Sequence, residues 1–551
     1  MWKNALLYIV CLLLVLISAR VYFYSGVPYT HDGENHLARF ANYKAALREG
    51  QVPPRFAPYL ENGYGYPVFN YNYPLANILS VPLTVIGISY ELTFKLLVAS
   101  SLAIGGYYLW FWLGLFYKSK TARLAGLLSW LSSSFLISTI LYRGSIGELL
   151  VYALIPSLLY TIATLVRGRA INILDYVLWI AFLLAHNVSA LWITPTLLSY
   201  FCVEWWIQGK QLLVAKQMVK LFVTSVLATL WFWLPALAEM HAVVLSGAQN
   251  AMGFSDHYPT FHQLLVAPLQ FGYSFPGSVD NLSFALGLVL SSTLLIYPIH
   301  FCVQALREAD QFPANIQVFW AWFISMLLLF LQLSISETLW QLLPVMRFIQ
   351  FPWRLSLLIP VLGSLILVDL ISKLGNKWQK LALLVIAMYW LQISSTKPFE
   401  LIHNSDDRYD AFSLNTTTQN ENKPTSFTFS DIGTNQRSPF FYEGLGSIVV
   451  TEWKGSYRTY QIEVSESGSI IEPTMNFPGW ETILDGEEMA YIDSEKIGGR
   501  IAYKVEKGFH EVTTTFTQKT MPRRIGNTVS LIAIVWIGIS GHSYRKQKWV
   551  S

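Results

Sequence analysis

Long apolar runs separated by short polar breaks dominate the first 395 residues, and the length of each run limits what it can do. Crossing a bilayer as a helix takes about 20 apolar residues, and a run of about fourteen falls short. Residues 6–24 form the first run of spanning length, and apolar runs follow at 96–116, 125–141, 149–166, 173–185, 188–206, 221–238, 284–303, 318–335, 355–370, 381–390 or a little beyond and, much later, 525–540, the shorter ones read as crossings from the charge of the flanking loops. Basic residues gather in alternate breaks: Lys118, Lys120 and Arg123; Arg167 and Arg169; Lys210, Lys216 and Lys220; Lys373, Lys377 and Lys380. Positive charge stays on the cytoplasmic side, so this alternation predicts about twelve crossings with both termini inside. The same parity lays residues 75–88, interrupted by Pro82, along the outer face.

Past residue 396 the period changes. SIVVTEWKG, YRTYQIEVSE, GRIAYKVEKG and HEVTTTFTQ alternate apolar and polar positions between Gly or Pro breaks, which predicts strands. FPGWETILDGEEMAYI reads as strand, Asp-Gly turn, strand, with Trp480 in the packing. The organisation expected is a transmembrane domain over 1–395 with a large first outer loop at 25–95. An extracytoplasmic β-sandwich-like domain follows over 396–521, then a final helix and basic cytoplasmic tail over 522–551.

Composition sharpens the class. Of 551 residues 53% are hydrophobic and 13% charged, whereas soluble domains carry about 25% charge. Mean hydropathy is +0.40. A net charge of +4 gives no argument for nucleic acid. Cys11, Cys202 and Cys302 sit in apolar runs without metal spacing and read as small hydrophobes.

The candidate chemistry lies in residues 30–75, THDGENHLARFANYKAALREGQVPPRFAPYLENGYGYPVFNYNYPL. Asp32 and Glu34 stand between His31 and His36, with Arg39, Arg48 and Arg55 beyond. Two carboxylates at a membrane surface can hold a proton, a metal or a sugar hydroxyl. Asp32 could equally N-cap a helix that ends at Gly50, which accounts for one acid of the cluster. Other polar groups interrupt apolar surroundings on the same predicted face. Arg143 and Glu148 are close enough to pair with each other, and His186-Asn187 marks another boundary. Arg347, Gln350 and Arg354 lie in VMRFIQFPWRLS, where they could anchor a span by snorkelling. Arginine forks also suit a phosphate, since they bond it bidentately.

These elements resemble a known family. The His31-Asp32-Gly33-Glu34 loop after a first span, the Gly-Tyr-Gly-Tyr-Pro element and the Tyr-Pro-Leu entry to an interfacial helix are similar to the GT-C fold. Within it, Arg143-Gly-Ser-Ile-Gly-Glu148, His186-Asn187 and Gln350-Phe-Pro-Trp-Arg354 resemble elements of bacterial membrane proteins labelled "6-pyruvoyl-tetrahydropterin synthase related". The three-histidine zinc site of the soluble synthase has no counterpart in this chain.

The resemblance implies a polytopic α-helical protein of the bacterial plasma membrane. It further implies a glycosyltransferase that moves a sugar from a polyprenyl-phosphate donor to an acceptor at the outer face. Asp32 would act on the acceptor, with Glu34 as partner and Glu148 as a second acid. His31, His36, Arg39, Arg143, His186, Arg347, Gln350 and Arg354 would bind substrate. The acids and histidines permit a divalent metal without a spacing that demands one. Membrane lipid and a polyprenyl-phosphate-linked sugar are the partners implied. The competing expectation is a non-catalytic scaffold or carrier for envelope polysaccharide or lipid assembly that keeps a GT-C shell, because fold does not fix function.

Overall fold

The computed structural model describes residues 2–245, 253–265, 267–276, 280–307, 315–417, 420–428, 438–492 and 497–547. The apolar runs become helices: α1 (Trp2–Ser18), α2 (Gly33–Arg48), α3 (Leu75–Val85), α4 (Tyr90–Gly114), α5 (Lys120–Leu131), α6 (Ile146–Val166), α7 (Ile173–Ala185), α8 (Asn187–Ile207), α9 (Leu212–Ala228), α10 (Leu230–Ala238), α11 (Leu288–Arg307), α12 (Ile316–Leu331), α13 (Ile359–Ser372), α14 (Asn376–Ser394) and α15 (Met521–Gln547). Such a set of apolar helices is that of a polytopic helical membrane protein.

Among the described residues, four helical stretches are long and apolar enough to cross a bilayer: Tyr90–Gly114, Lys120–Arg143, Ile146–Val166 and Leu288–Leu306. Two bent pairs, α9 with α10 (63°) and α12 with Ser334–Leu342 (90°), raise the count to six. Length and composition thus carry fewer crossings than the roughly twelve expected from loop charge. The difference comes from breaks that split apolar runs, from helices of 10–17 residues such as α7 and α13, and from α8 and α14, which are long enough but not apolar enough. At 1.5 Å per residue α3 is about 16 Å long, about half the hydrocarbon thickness, as the interfacial expectation requires. The tail residues 548–551, including the Lys and Trp of the expected basic tail, lie outside the described residues.

The strands are β1 (Val27–Pro28), β2 (Leu401–Ile402), β3 (Phe440–Trp453), β4 (Tyr457–Met475), β5 (Trp480–Leu484), β6 (Glu487–Glu488), β7 (Arg500–Val505) and β8 (Gly508–Phe516). All but β1 and β2 form one antiparallel six-stranded sheet, ordered β3-β4-β8-β5-β6, with β7 also on β4. Among the described residues the strands of the expected β-sandwich-like domain thus belong to one sheet. The 19-residue β4 makes this possible. Its first half pairs with β8 and its second half with β7, while register shifts along β3 bend the ladder. Ile462, Ile470, Tyr503 and Val512 fill the resulting core.

Residues 401–416 belong physically to the first loop rather than to the sheet. Strand β2 pairs antiparallel with β1, and Asp410 accepts a 2.6 Å hydrogen bond from the Tyr90 hydroxyl. A buried ionic network fastens the same loop to the chain's far end. Arg55, fully buried, donates to Gln518 Oε1 (2.7 Å), Asn70 Oδ1 (3.1 Å) and the Trp231 carbonyl (2.6 Å). Glu239, at the end of α10, accepts from Asn70 (3.0 Å), Thr520 (2.6 Å) and Arg523 of α15 (2.9 Å). Every charge there has a partner, which is what makes burial tolerable.

Candidate functional site

Asp32 occupies the N-cap position of α2, yet its side chain makes no capping hydrogen bond. The Gly33 amide donates instead to Thr30 Oγ1 at 3.0 Å. The capping expectation therefore fails on geometry: position alone does not occupy the carboxylate. Among the described residues nothing hydrogen-bonds or ion-pairs with it, and the residue is half-buried. Burial pushes the carboxyl above its ordinary range, against the pull of Arg39, Arg143 and Arg354, and Glu148 adds to the push.

Backbone bonds fix this residue against the turn after α5. His31 N–H donates to the Tyr142 carbonyl (3.1 Å) and Asp32 N–H to the Arg143 carbonyl (3.0 Å). That turn is a π-helical segment, Thr139–Arg143, closed by Gly144 at φ +66°. A Cβ at Gly144 would lie 2.1 Å from Thr30 Oγ1 and 2.8 Å from Gly33 N. Gly144→Ala is expected to cost about 1–3 kcal/mol and to reduce activity by moving Asp32. Thermal unfolding of purified protein checks this, and a wild-type melting temperature would show that the close approach is dispensable.

Arg143, Glu148 and Arg354 form the ionic centre. Glu148, fully buried in the first turn of α6, lies 2.6 Å from Arg143 Nη2 and 3.2 Å from Arg354 Nε. These are charge contacts without aligned hydrogen bonds: both Glu148 oxygens and Arg354 Nε lack a hydrogen-bond partner among the described residues. Arg354 Nη1 donates to the Ile349 carbonyl and to Gln350 Oε1, each at 3.1 Å. The Trp353 ring lies beside both guanidinium groups, 4.5 Å from Arg143 and 5.9 Å from Arg354. With Phe135 and Phe284 it walls a narrow recess beside Arg143.

Gln350 adopts φ +63°, ψ −50°, and the Phe351 amide donates to the Ile349 carbonyl at 2.7 Å, closing a three-residue turn. That conformation is rare and strained for a residue with a side chain. It separates two 3₁₀ segments, Pro344–Ile349 and Pro352–Leu357, and so separates the arginines. Arg354 faces Glu148, whereas Arg347 is exposed and its side chain has no ion pair or hydrogen bond among the described residues.

The histidines stay close but uncharged. His31 stacks on Tyr273 at 4.7 Å; burial and then the Arg143 charge lower its pKa to about 4. His36 is buried, 3.4 Å from the Tyr73 hydroxyl, and burial keeps it well below the ordinary histidine range. His186 Nδ1 accepts from the Ser189 amide at 3.2 Å, which places the ring proton on Nε2. Arg39 is buried too, donating from Nε to Thr416 Oγ1 (3.2 Å) and from Nη2 to the Thr416 carbonyl. Glu34 does not join Asp32: it accepts from Asn404 at 2.8 Å.

Two contributors escaped the sequence reading. Tyr73 lies 4.8 Å from the His186 ring, and burial pushes its hydroxyl up to about 12. Trp353 is the other, and its place next to Arg354 within FPWR is a recognisable cation–π signal in the sequence. No group of three His, Cys, Asp or Glu side chains converges as a metal site among the described residues. The arginines around Asp32 would also repel a cation there, so the surroundings fit an anion better than a divalent metal.

No family model and no curated protein matches the chain, so the likeness to proteins labelled for pterin synthesis gains nothing from comparison. Solved structures that resemble it include ArnT from Cupriavidus metallidurans bound to undecaprenyl phosphate, at 14% identity and TM-score 0.35, over 70% of this chain and 63% of that one. Another is the mycobacterial arabinofuranosyltransferase AftD, at 16% identity and TM-score 0.40, over 71% of this chain and 26% of that one. The chain thus spans less than two thirds of either protein. Likeness this loose transfers no role to any residue.

Proposed function

We propose that the chain is a GT-C-type glycosyltransferase that uses a polyprenyl-phosphate sugar at the outer face of the membrane. The observation that carries this reading is the unpaired Asp32 carboxylate, held within electrostatic reach of Arg39, Arg143 and Arg354. In the proposed reaction Asp32 takes the proton of an acceptor hydroxyl as that oxygen attacks the anomeric carbon. The bond from this carbon to the phosphate oxygen breaks, and its electrons leave with the lipid phosphate. Arg143 and Arg354 face the charge that develops there, with Arg354 Nε still free of an aligned acceptor. Tyr73 and His186 line the approach as neutral groups. Glu34 and Arg347, engaged elsewhere or exposed, take no part.

The test is sugar transfer from a synthetic polyprenyl-phosphate donor by purified protein in nanodiscs, with Arg354→Lys beside wild type. Lysine keeps the charge but loses the planar fork. We expect the KM for donor to rise about tenfold, the loss of one charge-assisted bond, with insertion and melting temperature preserved. An unchanged KM would assign Arg354 to anchoring the span. Absence of transfer by wild type across mannosyl, glucosyl and arabinosyl donors would favour the non-catalytic scaffold.

A further inference from the structure

A second cleft, of about 170 Å³, opens where the first loop meets the sheet, and it shares no residue with the site around Asp32. Tyr59, Asn62 and Tyr64 line it from the loop, and Trp453, Arg458 and Pro473 from the sheet. Tyr59 is 40% exposed and Asn62 is exposed, while Trp453 is half-buried with the Arg458 guanidinium 4.3 Å from its ring centre, so the Tyr59 ring and a carboxamide are open to a ligand with Trp453 beside them.

The cleft is rigidly built. Tyr59 hydroxyl donates to Glu49 Oε1, which also accepts from the Gly455 amide at 3.3 Å. Gln51 Nε2 donates to Ser456 Oγ at 2.6 Å. Gly455 presses on Pro58 so closely that a Cβ would lie 2.0 Å from the proline. Glu61 and Asn62 both hold positive φ, +54° and +56°, with the Asn62 amide fixed to the Ser413 carbonyl at 2.6 Å. Two successive left-handed residues with side chains are costly, and they hold Asn62 at the rim of the cleft.

The chemistry selects a neutral ligand. Arg458, the cation in the wall, is already used: Nε donates to the Lys454 carbonyl, Nη1 to Glu472 and Thr474, and Nη2 to the Gly455 carbonyl. Lys454 pairs with Glu452 at 2.5 Å. A phosphate would therefore find little charge to bind. Aromatic faces with one amide suit a pyranose, whose apolar C–H face stacks while its hydroxyls bond. Drug-sized ligands need roughly 300 Å³ or more, so this cleft has room for about one sugar unit.

We propose that the cleft is a non-catalytic subsite for one neutral pyranose unit of a glycan. Helix α2 sets its distance from the chemistry. Asp32 stands at its N-terminus and Glu49, which holds Tyr59, at its C-terminus. At 1.5 Å per residue the separation is about 25 Å, several sugar units. The subsite would thus hold a distal part of an oligosaccharide acceptor, a role that rests on the transferase reading, while sugar binding itself does not.

The test is saturation-transfer NMR on the full chain in nanodiscs, with maltotriose, cellotriose and mannotriose as neutral probes and inorganic phosphate as the anionic one. At least one trisaccharide should bind wild type and Asp32→Asn equally. Tyr59→Ala and Asn62→Gly should each raise its Kd about tenfold, the latter keeping the left-handed backbone. Tyr59→Phe keeps the ring and should keep binding. No binding of any trisaccharide to wild type, unchanged Kd in both weakened variants, or displacement of sugar by phosphate would each overturn the proposal. Sugar binding without any transfer activity would leave this subsite standing and retire the role of Asp32 instead. Transfer without sugar binding would do the reverse.

Discussion

Asp32→Asn is expected to lower sugar transfer by about 10²–10⁴-fold, the range that a positioned base contributes. Folding should barely respond. The carboxylate has no hydrogen bond or ion pair to lose among the described residues, and asparagine has nearly the same shape. Because burial raises the carboxyl's pKa in the folded protein, the ionised form is less favourable there than in the unfolded chain. Its stabilising contribution is therefore greatest below the ordinary carboxylate pKa and is lost as pH rises through the folded value. Activity should run the other way, since a base must be ionised, and kcat/KM should climb with pH over that same window. In Asp32→Asn this limb should vanish from the residual rate. Transfer at the wild-type rate in the variant would assign Asp32 to packing and end the catalytic reading.

Glu148→Gln should have the largest effect on stability. It leaves the volume unchanged but removes the negative charge that lies against two guanidinium groups. Breaking a buried charge pair typically costs about 3–5 kcal/mol, because the remaining charge stays buried without compensation. The side chains of Arg143 and Arg354 are 6% and 17% exposed, so solvent offsets little of that. The freed forks should then bind an anion more tightly. Undecaprenyl phosphate added in excess should raise the variant's melting temperature more than wild type's. A variant that melts with wild type, or one that gains nothing from the lipid phosphate, would mean that the arginines do not depend on Glu148 and do not receive a phosphate.

The helices were legible because lipid-facing runs leave a length signal in sequence, and the strands because a half-buried sheet leaves a period of two. The pairing of Arg143 with Glu148 was also within reach, since both flank one turn. Distant pairings were not. Glu34 finds Asn404 across 370 residues and Arg39 finds Thr416 across 377, and nothing local in either stretch announces its partner. Glu34 therefore looked like a second catalytic acid beside Asp32, when its carboxylate serves to dock a later segment. Arg347 and Arg354 looked equivalent until the strained turn at Gln350 separated one from the other.

The buried network around Arg55 sets an order of events during synthesis. Arg55 emerges 463 residues before Gln518, and Arg523 of α15 supplies the cation that pairs with Glu239. At about 5–20 residues per second, the ribosome needs roughly 20–90 s to deliver those partners. For that interval the first loop carries a cation whose final position is dry and which has Asn70 and, later, the Trp231 carbonyl but not yet Gln518. The loop that bears Asp32 is thus made early, and its anchorage at Arg55 is completed only once α15 has been made.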